Sequence, residues 1–373
     1  MDYELKVLIV DDSRIFRSMI EKILNEQKRI KVVGSVRNGV MAIEFIKSNS
    51  VDLVTLDQEM PDMDGLETLK EIQKINAAKN SSEKIGVIIV SAHTSKGAEI
   101  TIKALEEGAF DFITKPETSN VKKNIDVLQR QLIVKLCDFA TKRFHPKKGS
   151  NAFGRKPPLP KEPQTSTSVK TLQDRNVGSA NIKAVVIGVS TGGPKALLEM
   201  MPQLSEKINL PILIVQHMPP TFTLSLAKSL DAKCRHTAIE GGNNELIKND
   251  HLYIAPGGKH MELKKDADKN VLTILTNTPP ENGCRPSVDV LFRSAANVYR
   301  GNVIAIVLTG MGSDGTKGLI PLKQAGVHAV AQDEETSVVW GMPGSVVNAG
   351  LADKVLPLNE IPDHVSSIVH NKR

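Results

Sequence analysis

A chain of 373 residues with 40% hydrophobic and 24% charged residues has the length of two domains and the composition of a folded globular protein, which excludes a disordered or fibrous chain. No apolar run approaches the roughly 18 residues of a membrane span, and the acidic start MDYELKVLIVDDS lacks the positive flank of a signal peptide, so a cytoplasmic protein without membrane insertion is expected. The net charge of +6 sits in one place: residues 1–141 carry 20 Lys and Arg against 22 Asp and Glu, residues 142–183 carry 10 against 2, and residues 184–373 carry 18 against 18, which argues against a nucleic-acid-binding domain on either side.

In chain order, KVLIV (6–10) reads as a short buried strand, and Arg14 to Glu26 follows with helical spacing of Ile15, Met19, Ile20, Ile23 and Leu24. KVVGSV (31–36) is a second strand and 39–48 a second helix. LVTL (53–56), VIIVSA (87–92) and DFITK (111–115) are further strands with helical stretches between and after them. Continuous apolar strands alternating with helices imply a parallel sheet covered on both faces, here an α/β, flavodoxin-like doubly wound domain over residues 1–141. Residues 142–181 are rich in Pro, Gly, Ser, Thr and Lys and poor in large apolar side chains, so they read as a linker, with a basic docking tail as the alternative. From 182 to 373 the pattern resumes. AVVIGVS (184–190), ILIVQHM (212–218), HLYIAP (251–256), VIAIVLTG (303–310) and HAVAQ (328–332) are strands, and helices are expected at 194–201, 221–230, 287–299 and 315–325. HMELKK and VLTILTN read as an antiparallel hairpin, giving a second α/β domain with a mixed, mostly parallel sheet. Cys137, Cys234 and Cys284 lie far apart with no CxxC, which indicates neither a disulfide framework nor a zinc ribbon.

Two sets of residues carry chemistry. Asp11, Asp12, Asp57, Ser91 and Lys115 all fall at strand ends of the first domain, the edge where doubly wound sheets bind ligands. Crowded carboxylates repel and want a divalent cation, and oxygen-only donors favour Mg²⁺. A lysine and a hydroxyl beside them suit a phosphoryl group that is moved onto a carboxylate. Taken singly, each residue is equally a turn, a cap or a solvated loop end. In the second domain, Gly188-Val-Ser190-Thr-Gly192 fits the G-x-S-x-G turn that exposes a nucleophile, with a helix N-terminus behind it for an oxyanion. The same turn could cradle a phosphate. His217, directly after ILIVQ, is the candidate base; His236, His251 and His260 begin or precede strands or lie in connections. A structural histidine remains the alternative at 217. Asp314, in the glycine-rich loop LTGMGSDGTKG, is the candidate orienting carboxylate, with helix capping as its alternative. The order Ser, His, Asp departs from that of α/β-hydrolases, so a different fold with a convergent triad is expected.

The pieces VLIVDDS, TLDQEMPDMDG, VIIVSAHT and DFITKP resemble the receiver domain of two-component response regulators over residues 5–140. That resemblance implies Asp57 as phosphoacceptor and Mg²⁺ held by Asp12, Asp57 and the Glu59 carbonyl, with Asp11 in support. Ser91 and Lys115 would grip the phosphoryl group, and Phe112 falls where the family has its switching aromatic, a core residue being the alternative. IGVSTGG, QHMPP-x-FT, YIAPGGKHMEL, RPSVDVLF, VLTGMGSDG and VVWGMPG resemble the catalytic domain of CheB-type protein-glutamate methylesterases over residues 184–369. This implies Ser190 as nucleophile, His217 as general base and acid, Asp314 as orienter, and backbone N–H groups near Thr191 and Met311 as oxyanion donors, with no cofactor in the esterase site. RPSVD and the GGKH loop line the site without an assigned role. The function implied is hydrolysis of glutamate γ-methyl esters, with deamidation of glutamine as a further activity, in the cytoplasmic helices of methyl-accepting chemoreceptors. A histidine kinase of the same pathway would be the phosphodonor, and the unphosphorylated receiver would cover the esterase site. A response regulator with a non-catalytic output domain is the alternative, disfavoured by the zero net charge of 184–373 and the 3% aromatic content. A cofactor-dependent oxidoreductase lacks a dinucleotide fingerprint.

Overall fold

The computed structural model describes residues 4–80, 83–116, 121–144 and 182–370. The first unit alternates β1 (Leu5–Val10), α1 (Arg14–Asn25), β2 (Ile30–Val36), α2 (Gly39–Ser48), β3 (Leu53–Asp57), α3 (Gly65–Ala77), β4 (Gly86–Ser91), α4 (Ser95–Glu106), β5 (Asp111–Thr114) and α5 (Val121–Phe144). Its five parallel strands lie in the order β2-β1-β3-β4-β5, the flavodoxin-like arrangement. Polar caps start the helices. The side chains of Ser13, Asn38 and Thr94 accept N–H groups of α1, α2 and α4, and Asp64 forms a capping box with Glu67 at α3. Because β3 and β4 are buried along their whole length, their residues read as continuous apolar runs rather than alternating ones. α5 continues past residue 141 to Phe144; the remainder of the expected linker, from 145 to 181, lies outside the described residues.

The second unit comprises β6 (Ala184–Val189), α6 (Gly193–Lys207), β7 (Ile212–Gln216), α7 (Phe222–Asp231), β8 (Thr237–Glu240), β9 (Glu245–Leu246), β10 (His251–Ile254), β11 (His260–Lys265), β12 (Val271–Thr276), α8 (Val288–Tyr299), β13 (Val303–Val307), α9 (Thr316–Gln324), β14 (His328–Gln332), α10 (Met342–Asn348), β15 (Lys354–Leu356) and α11 (Ile361–His370). Seven strands form one sheet in the order β15-β14-β13-β6-β7-β10-β8, and all of its pairings are parallel. The expected hairpin forms, as β11 and β12, but with β9 it makes a separate antiparallel sheet rather than part of a mixed one. β8 and β15 are the two edge strands of the parallel sheet, and sequence reading passed over both. Their half-exposed residues lack the continuous apolar run of the central strands.

Two apolar layers flank the parallel sheet. One, with Val186, Leu213, Tyr253, Leu291 and Phe292, belongs to the second unit alone. The other is continuous from α2, α3 and α4 of the first unit into α6 and α7 of the second, so the two units share buried apolar surface. No helix among the described residues is long and apolar enough to cross a membrane.

Candidate functional site

At the carboxyl edge of the first sheet, the carboxylates of Asp11, Asp12 and Asp57 come within 4.8 Å of one another. Lys115 Nζ, at the end of β5, lies 3.0 Å from Asp11 Oδ2 and 2.8 Å from Asp57 Oδ2. Burial, reinforced by the charge of Asp11, pushes the Asp57 carboxyl up to about 6 despite Lys115. An all-oxygen donor set of crowded carboxylates fits a hard divalent cation such as Mg²⁺. Beside it opens a cavity of about 550 Å³ lined by Asp12, Gln58, Glu59, Asp64 and Lys96. Ser91 sits buried at the end of β4, and its hydroxyl donates to Gln58 Oε1. The Gln58 amide in turn donates to the Gly97 carbonyl and Thr101 Oγ1 of α4. Gln58 escaped the sequence reading because a lone amide beside an acidic motif carries no pattern.

In the second unit Ser190 directly follows β6, which is central in the sheet, and the chain turns through Gly192, at φ +76°, into α6. The turn is held from three sides. Ser190 N–H donates to the Thr309 carbonyl, Gln216 Nε2 donates to the Ser190 carbonyl, and Thr309 Oγ1 donates to the Thr191 carbonyl. Gly310 lies so close that a Cβ there would come within 2.7 Å of Ser190 Cβ; its neighbour Met311 is 44% exposed beside the turn. His217 follows β7, the adjacent strand, and its Nε2 lies 2.8 Å from Asp314 Oδ2. Asp314 also accepts from Ser287 Oγ, the Val288 and Asp289 N–H groups and Asn282 Nδ2. Burial alone would raise this carboxyl, but His217 and these donors hold it far below the usual carboxylate range. A permanent carboxylate facing Nε2 makes that nitrogen the donor and leaves Nδ1 with the lone pair in the neutral ring. Burial would depress the His217 imidazolium; the hydrogen bond to Asp314, the neighbouring Cys284 and the charge of Asp314 outweigh it and push the group up to about 9.

The structure thus brings Ser190, His217 and Asp314 to one sheet edge, although no hydrogen bond joins Ser190 Oγ to His217 among the described residues. The rival histidines are engaged elsewhere: His236 with the Leu210 carbonyl, His251 with Asn249, and His260 with the Pro279 carbonyl and Ser287 N–H. Ser287 and Asp289 belong to the RPSVD segment, which sequence reading placed at the site without giving it a task; Asn282 and Cys284, just ahead of it, were not foreseen.

The first unit lies against this edge. Phe112, expected as a switching aromatic or a core residue, stacks on Phe222 of α7 with ring centroids 4.6 Å apart. Lys135 of α5 bonds Asp111 Oδ2 at 2.6 Å and Thr191 Oγ1 at 3.1 Å, and Thr191 Oγ1 donates to Asp138 Oδ2 at 3.1 Å. The residue next to Ser190 is therefore held by two side chains of α5. Burial pushes Asp138 up to about 6 against the charge of Lys135. Lys228–Glu99 and Lys233–Glu106 pairs lie farther out, between the segment around α7 and α4.

The family model for CheB methylesterase matches residues 185–365, and that for the response regulator receiver domain matches residues 7–126. A protein-glutamate methylesterase/protein-glutamine glutaminase of Desulfotalea psychrophila is 44% identical over 97% of this chain and 97% of its own length. One of the same description from Trichodesmium erythraeum is 42% identical, covering 97% of this chain and 98% of its own length. Among solved structures, the catalytic domain of the Thermotoga maritima CheB methylesterase is 45% identical, covering 50% of this chain and 99% of its own, with a TM-score of 0.49.

Proposed function

The chain belongs to the CheB methylesterase family, with a response regulator receiver domain ahead of the catalytic one, and from that premise we propose that it is a phosphorylation-activated protein-glutamate methylesterase acting on chemoreceptors. The observation that carries the catalytic part is the 2.8 Å contact of His217 Nε2 with Asp314 Oδ2 on the sheet edge that also presents Ser190. His217 Nδ1 takes the Ser190 proton as Oγ attacks the ester carbonyl of a methylated glutamate. The N–H groups of Thr191 and Met311 receive the oxyanion. Collapse expels methanol, which takes the proton from His217, and leaves an acyl-serine. Water, deprotonated by His217, then frees glutamate and restores Ser190. A glutamine side chain follows the same course with ammonia as leaving group.

The receiver site supports the regulatory part. Asp57 is the phosphoacceptor and a histidine kinase the donor; Asp12, Asp57 and the Glu59 carbonyl would hold Mg²⁺, supported by Asp11, and Ser91 and Lys115 take the phosphoryl oxygens. Bound Mg²⁺ supplies charge neutralisation for transfer between two anionic partners. The Lys135–Thr191–Asp138 contacts and the Phe112–Phe222 stack close the esterase edge in the unphosphorylated chain, and phosphorylation shifts the equilibrium towards an open arrangement. The boundaries proposed for these units are 1–141 and 182–373. Mass spectrometry of a methylated receptor, incubated with the chain with and without phosphodonor, tests the whole. Loss of 14 mass units per site, faster with phosphodonor and abolished by Ser190→Ala, is expected from exchange of a methyl ester for an acid (about one CH₂); turnover by Ser190→Ala near the parental rate would remove the nucleophile assignment.

A further inference from the structure

We propose that Asp289, which has no part in the triad, is a positioning residue of the esterase: α8 and α9 exchange their N-terminal caps, and this exchange fixes the direction in which Asp314 faces. The inference rests on the triad reading above. The first N–H groups of any helix need acceptors from outside the helix. Neither helix supplies its own: Ser287 makes no cap bond to α8, and Gly315, at the start of α9, has no side chain. Asp314, just before α9, accepts the Val288 N–H on Oδ2 at 2.7 Å and the Asp289 N–H on Oδ1 at 3.0 Å, and so caps α8. Asp289, in the first turn of α8, accepts the Gly315 N–H at 2.9 Å and the Gly318 N–H, and so caps α9. Gly318 permits the crossing, since a Cβ there would lie 2.6 Å from the Asp289 backbone.

Two carboxylates buried this close repel, and Asn282 lies between them. Its Nδ2 donates to Asp289 Oδ2 at 2.8 Å and to Asp314 Oδ1 at 3.0 Å. Oδ1 of Asp314 is then taken by Asn282, Ser287 Oγ and the Asp289 and Gly315 N–H groups, and His217 meets Oδ2, which it shares with the Val288 N–H. The carboxylate cannot turn without breaking several bonds at once. Asp289 touches neither His217 nor Ser190 by any hydrogen bond; it acts by holding the α9 start, and with it Asp314, against α8. The environment separates the two acids: burial raises Asp289, while Asp314 is held down as a permanent anion.

Asp289→Asn keeps the shape but turns an NH₂ towards the NH₂ of Asn282, which breaks the bridge. The full-length chain, phosphorylated with acetyl phosphate and Mg²⁺, is assayed for hydrolysis of a methylated receptor from pH 6 to 10, with phosphoryl uptake at Asp57 and the melting transition as controls. The expected result is a fall in kcat of about tenfold or more, the loss from a displaced catalytic group, with KM within about twofold because substrate binding is untouched. The pH of half-maximal activity should also move down, because a displaced Asp314 no longer stabilises the imidazolium. A fall in kcat with an unmoved pH profile would make Asp289 merely structural and overturn the proposal, as would an unchanged kcat. If Asp289→Asn has lost its melting transition, Asp289→Glu, which keeps the charge but carries the acceptor oxygens one methylene away from the Gly315 and Gly318 N–H groups, decides by the same two readouts. Ser190→Ala keeps the outcomes apart: if it hydrolyses ester normally, the triad reading fails; if it is inactive while the Asp289 variant matches the parent, only this inference fails.

Discussion

Lys135 and Asp138 grip the same hydroxyl of Thr191 from one face of α5, yet their removal should change the basal esterase rate in opposite directions. Lys135→Met keeps the apolar stem and deletes a cationic hydrogen bond that is 21% exposed. A hydrogen bond to a charged group contributes about 1.5 kcal/mol at the low end of its range, which suits partial exposure, and this corresponds to about a tenfold shift from closed to open chain. The Lys135–Asp111 ion pair lies within the first unit, so its loss bears on the closed and open chain alike. Asp138→Asn works the other way. Its carboxyl is pushed up to about 6 by burial, so closure favours the protonated form and is weakened as pH rises through that value. A neutral amide keeps an acceptor for Thr191 without the buried charge. Initial ester hydrolysis of the unphosphorylated full chain at pH 8 should rise about tenfold for Lys135→Met and fall several-fold for Asp138→Asn, with fully phosphorylated rates converging. Basal rates equal to the parent's in both variants, or a faster Asp138→Asn, would refute the assignment of α5 as the closing element.

Acetyl phosphate with Mg²⁺ should place one phosphoryl group on Asp57, read by intact mass, and EDTA or Asp57→Asn should prevent it. Hydrolysis by the phosphorylated chain should climb as pH rises from 7 towards 9, because the base must be neutral and Asp314 holds the His217 imidazolium up near 9; a plateau already reached at pH 6 would contradict that electrostatic account. Gly310→Ala should cut esterase turnover by about a hundredfold, because its Cβ would press within 2.7 Å of Ser190 Cβ and relieving that contact by a shift of about 1 Å is costly at a nucleophile; phosphoryl uptake by the same variant should be unchanged.

The sequence by itself determined both sheets and the residues at their carboxyl edges. A buried parallel strand is a continuous apolar run, and the residues directly after it in the chain must lie at that edge, so Asp11, Asp57, Ser91, Lys115, Ser190 and His217 could be placed from position alone. Helix starts obey a local rule as well, a polar cap before an apolar face, which the structure shows at Ser13 and Thr94. Pattern failed where burial is partial. The edge strands β8 and β15 and the short α10 carry too few consecutive apolar residues to announce themselves. Only the tertiary structure decided which side chains meet across elements. Asp314 reaches His217 over 97 positions of chain, Lys135 reaches Thr191 over 56, and Phe112 meets Phe222. The cap exchange that steers Asp314 involves Asp289, an acid that reads as ordinary first-turn helix chemistry. Such pairings depend on the rotation and offset of one packed helix against another, and hydrophobic periodicity fixes which face a helix buries but not what it is buried against.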